Sequence, residues 1–134
     1  MNINLRLLKL LNNKSVLFIE DDFTLSNSVG EFHEWCINNK VEYNCLFRCS
    51  ELPIDYIINQ VEYFDIVAFE TQWVNQAPFL IKEAISKMKS KKTIIECYTY
   101  QATWKRKPKV VHDVYILECP EGEEFSSWSL EKLK

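Results

Sequence analysis

The run Ser15-Val16-Leu17-Phe18-Ile19-Glu20-Asp21-Asp22 decides how the rest of the chain is read. Its apolar core is bounded by polar residues and is too short for a helix, which predicts a strand with no solvent face. Strands of that kind belong to parallel sheets covered by helices on both sides, so the acids that follow fall at a carboxyl end. A second such run, Asp65-Ile66-Val67-Ala68-Phe69-Glu70, also terminates in a carboxylate.

Between these runs, Leu25, Val29, Phe32, Trp35 and Cys36 recur at three- and four-residue steps, which predicts a helix from about Thr24 to Asn38. Val41 to Arg48 alternates as a strand does, and Ser50 before Glu51-Leu52-Pro53 marks a helix start with Ile54, Ile57, Ile58 and Val61 as its core face. Upstream, leucines at helical spacing give way to Asn12-Asn13-Lys14, so residues 1–13 form a short N-terminal helix or arm. Downstream, Pro78 to Met88 reads as a third helix, with the basic segment Lys87 to Lys92 suited to its C-terminus. Thr93 to Thr99 and Val114 to Cys119 read as the fourth and fifth strands. In the segment Gln101 to Asp113, Pro108 and the lack of an apolar stripe leave the fourth helix short or missing. Phe125, Trp128, Leu130 and Leu133 predict a short terminal helix. The expectation is one domain over 1–134, an α/β three-layer sandwich around a five-stranded parallel sheet with right-handed crossovers.

The bulk numbers narrow the function. With 134 residues, 47% of them hydrophobic, and only two glycines and four prolines, the chain offsets its ordering entropy by burial, which excludes wholesale disorder. Lys+Arg 16 against Asp+Glu 19 gives a net charge of −3, not the positive field of a nucleic-acid binder. The charged opening does not read as a signal peptide, and no run reaches the ~18 apolar residues of a membrane span. Five cysteines, an odd number, read as reduced thiols of a cytoplasmic protein. Cys45 and Cys49 have no second pair or histidine close by in sequence, so no metal is expected there. His33 and His112 stand apart and are expected to pack or to face solvent.

In an open parallel sheet, ligands sit beyond the carboxyl ends of the strands. The polar residues expected there are Glu20, Asp21 and Asp22, then Glu70, Tyr98, Thr99 and Cys119. Asp21, Asp22 and Glu70 together have the hard oxygen donors that Mg²⁺ prefers. The glycines fit no phosphate-binding loop, and no nucleophile–base series is placed at the strand ends.

The order of these elements resembles the receiver domain of bacterial response regulators, a flavodoxin-like fold, over the chain from Lys14 to about Leu133. Val16 to Asp22 is similar to that family's first strand and its acidic metal-binding pair, and Phe64 to Glu70 to the strand leading to the phosphorylated aspartate. Tyr98 or Thr99 falls where the family has a switch Ser/Thr, and Cys119-Pro120 where it has Lys-Pro. The resemblance implies a bacterial signal-transduction role, while its departures argue against phosphotransfer. Glu70 is one methylene longer than aspartate, and Cys119 offers no fixed cation for a phosphoryl group.

Three function classes follow. The first is a degenerate, or pseudo-, receiver without catalysis or a required cofactor, regulating a protein partner. Its contact residues would be Tyr100, Trp104, Lys105, Arg106 and Tyr115, with Trp73 and Trp128 as further exposed-looking aromatics, and homodimerisation would use the face of strands four and five. The second is a Mg²⁺-dependent phosphotransfer or phosphatase-like domain using the acidic pocket, and the third an inhibitor or immunity-type protein with one target.

Overall fold

The computed structural model describes residues 2–20, 23–70, 91–98, 112–120 and 122–132. Ser15–Ile19 forms β1 and is buried at every position, as a strand inside a covered sheet must be. It pairs in parallel with β2, Glu42–Leu46, on one side and with β3, Ile66–Glu70, on the other. Asn27–Asn38 forms α2 and Ile54–Tyr63 forms α3, both preceded in the chain by α1, Ile3–Leu10. From β1 the chain crosses first to β2 and then back past β1 to β3. Right-handed crossovers in opposite directions put their helices on opposite faces, and the packing agrees. Val16 and Phe18 lie with α1 and α2, whereas Leu17 and Ile19 lie with Ile57 and Val61 of α3.

The sheet continues through β4, Thr93–Tyr98, and β5, Asp113–Glu118, both parallel, to β6, Ser129–Lys132, which is antiparallel. The order β2-β1-β3-β4-β5-β6 makes this an α/β fold with a mostly parallel six-stranded sheet, compatible with a flavodoxin-like sandwich. Two expectations are corrected. The sheet has six strands rather than five, and the residues expected to form a terminal helix instead make a 3₁₀ turn, Phe125–Ser127, followed by β6. The physical reason is that β5 would otherwise end the sheet with unpaired backbone groups. Leu117 opposite Leu130 and Glu118 opposite Ser129 satisfy that edge, while Trp128 and Leu130, two residues apart, both turn inward. The expected third helix and the segment Gln101 to 111 lie outside the described residues.

Aromatic rings tie the terminal segment to α2. Trp35 stacks on Phe125 at 6.2 Å between centroids, Phe125 meets Trp128 at 4.7 Å, and Phe32 stacks on Trp35 at 6.1 Å. The indole Nε1 of Trp35 donates to Asn4 Oδ1 at 3.1 Å, which fastens α1 onto the same face. Burial of Phe18 and Phe32 contributes about 1.5–3 kcal/mol each. Trp128, at 9% exposure, is thus part of the core and not of a docking surface.

Helix ends account for two unusual residues. α2 closes in a Schellman arrangement, with Val41 N donating to Cys36 O at 2.9 Å and Lys40 N to Ile37 O at 3.2 Å. That turn puts Lys40, not a glycine, at a φ of 57°. Lys92 is 8% exposed, and its Nζ donates to the carbonyls of Glu62 and Phe64, each at 2.7 Å. It therefore serves the C-terminus of α3.

At the free edge, Glu20 N donates to Leu46 O at 2.9 Å, so the neighbouring Cys45 amide turns away from β1. That amide donates to the Asn44 side-chain oxygen at 2.9 Å.

Two stability outcomes follow. Lys92→Met removes the Nζ donor from both carbonyls and is expected to cost about 2 kcal/mol in urea unfolding. Lys40→Gly relieves the left-handed backbone and is expected to add about 1 kcal/mol in the same measurement.

Candidate functional site

The switch point of the strand order lies between β1 and β3, where the chain leaves in opposite directions, the position at which open α/β sheets bind ligands beyond the carboxyl ends. Glu20 directly follows β1 and is only 5% exposed. Its Oε1 accepts a hydrogen bond from Ser26 N at 2.8 Å. Ser26 is the N-cap of α2 and makes no side-chain cap bond of its own, while the Glu20 carboxylate satisfies the N-cap's own amide. There it meets the positive end of the helix dipole, which favours its charge.

Glu70 closes β3 and is half-buried. Burial pushes its carboxyl above the usual glutamate range, while the Ser26 hydroxyl pulls the other way. The hydroxyl is near enough for that influence yet makes no hydrogen bond of ordinary geometry. The two glutamates predicted from the strand ends thus converge on one residue, Ser26. Asp21 and Asp22 lie outside the described residues, as do Thr99, Tyr100, Trp104, Lys105 and Arg106. Among the described residues, no group of three or more His, Cys, Asp or Glu side chains is arranged to hold a metal ion.

Tyr98 ends β4, in register with Glu118 of β5. Cys119 is fully buried, its Sγ 3.9 Å from the Leu117 carbonyl. Burial drives its thiol far up, with the Glu31 and Glu118 charges adding to the effect. Cys97 is raised in turn by burial and then by Cys119 and Cys36. Cys36 itself is pushed up to about 12 by burial. Three thiols from α2, β4 and the end of β5 thus share one apolar layer and stay protonated at neutral pH. A protonated thiol is neither a phosphate-binding cation nor a nucleophile. Tyr115, predicted as a contact residue, is half-buried against the α2 face, with Lys132 Nζ 5.9 Å from its ring centroid.

A cation does stand near the rim, but it is engaged. Arg48, at a φ of 55°, forms an ion pair with Glu51 and lies 4.2 Å over the ring of the exposed Phe23. Lys92 precedes β4 and so sits at the opposite end of the sheet from Glu20 and Glu70. A groove of about 500 Å³ also opens at that amino end, lined in part by Asn12, Lys14, Asn39, Lys40 and Asp65. There Ser15 N and Oγ both donate to Asp65 Oδ2, at 3.0 and 3.2 Å, which fastens β1 to β3.

Ser26 was not singled out from sequence, although a serine ahead of an apolar periodic run is a recognisable N-cap signal. Arg48 carried no such mark. Comparison of the chain with family models, with curated proteins and with solved structures gives no match.

The raised Glu70 carboxyl has a sign that can be checked. A folded-state proton held more tightly than in the unfolded chain contributes stability that is full below the unfolded value, 4.5, and is lost as pH rises through the folded one. Glu70→Gln should therefore be more stable than the parent at pH 7, with the gap narrowing towards pH 4 in thermal unfolding.

Proposed function

We propose that the chain is a pseudo-receiver, a non-catalytic module that regulates a protein partner without being phosphorylated. The observation that carries this reading is the pair Glu20–Glu70 at the β1/β3 switch point, where Glu70 takes the place of a phosphoryl-accepting aspartate. A phosphoryl group formed on Glu70 would be carried one methylene farther out than on an aspartate and would stand beside a second carboxylate. Cys119, buried and protonated, supplies no counter-charge. The strand order supports the same reading, since it matches that of flavodoxin-like receivers.

The partner surface is assigned to the segment between β4 and β5, with Tyr100, Trp104, Lys105 and Arg106. A long, basic and aromatic connection suits the buried centre of an interface.

Two measurements test the reading together. Incubation with Mg²⁺ and a small acyl phosphate should leave the intact mass unchanged, and an added phosphoryl group would overturn the non-catalytic role. Trp104→Ala combined with Arg106→Glu should weaken recovery of the native partner at least about tenfold. Undiminished recovery would mean that the surface is wrongly assigned.

A further inference from the structure

The fold brings together two side chains that the sequence keeps twelve residues apart. Cys45 Sγ on β2 lies 3.8 Å from His33 Nε2 on α2. The imidazole is held edge-on between two rings, with centroids 5.1 Å from Phe18 and 4.6 Å from Tyr43 at interplanar angles of 79° and 83°. Its orientation is therefore set by packing rather than by the thiol. We propose that His33 Nε2 and Cys45 Sγ form a two-ligand site for a thiophilic divalent ion of the zinc class.

The spacing is the first argument. An ion bonded to imidazole nitrogen at ~2.0–2.1 Å and to thiolate sulfur at ~2.3 Å holds the two atoms about 3.6 Å apart at a tetrahedral angle. The pair needs to move only slightly to meet that bite. Chemistry is the second argument. An imidazole nitrogen and a cysteine sulfur are both donors that zinc-class ions favour. On binding, the thiol gives its proton to solvent and the sulfur bonds to the ion, with no change of oxidation state.

Access is the third argument. Cys45 is only partly buried, whereas Cys36, Cys49, Cys97 and Cys119 are all buried. It lies on the free edge strand beside Tyr43, which is 39% exposed, so water can complete the coordination. No third ligating side chain joins it among the described residues, so the affinity should be modest.

The test uses the full chain and Cd²⁺, whose bond to a thiolate gives an ultraviolet charge-transfer band. Titration with Cd²⁺ should develop the band in the parent, Cys45→Ser should abolish it, and His33→Gln should weaken binding at least about tenfold. A band that survives in Cys45→Ser, or an unchanged affinity in His33→Gln, overturns the site. In the unmutated chain, Zn²⁺ should shift the ring resonances of His33 in NMR spectra. Unmoved resonances at millimolar Zn²⁺ overturn it without reliance on any variant.

Discussion

β1 has no side that faces water, and that constraint shapes everything around it. Val16 and Phe18 demand cover on one face, and Leu17 and Ile19 demand it on the other. A strand so placed needs partners on both edges and helices above and below. The chain meets this by running from β1 outward to β2 and then back to β3. The reversal marks the switch point at the carboxyl ends, and Glu20, the next residue after β1, falls there.

Glu20 is buried at the switch point, so its charge must be satisfied locally, and the amino end of α2 does this. Glu70 shares the same cap residue but has less help, and its proton is held more tightly. Beneath α2, the thiols of Cys36, Cys97 and Cys119 add volume without charge.

The central strands and α2 were legible because their burial is written as unbroken apolar runs or as a clear helical stripe. β6 was not, since Phe125 and Trp128 are three apart and fit a helix while Trp128 and Leu130 are two apart and fit a strand. Only the unpaired edge of β5 decides between those readings, and pairing is a tertiary fact. Glu20 and Glu70 could be placed from strand ends alone. The joint role of Ser26 depends on how α2 enters, and the His33–Cys45 contact depends on the angle at which α2 lies over β2, neither of which a linear pattern records. The grouping of Cys36, Cys97 and Cys119 likewise needs the β4–β5 register.

The short bond from the Cys45 amide to the Asn44 side chain reaches beyond its own strand. β2 is the exposed margin of the sheet, and its outward amides are the groups through which neighbouring molecules would zip into a continuous ribbon. With one of those donors already occupied by the molecule's own carboxamide, an incoming strand must first displace that bond. A crowded solution of this protein therefore meets a built-in brake on end-to-end sheet growth, at the cost of a single asparagine.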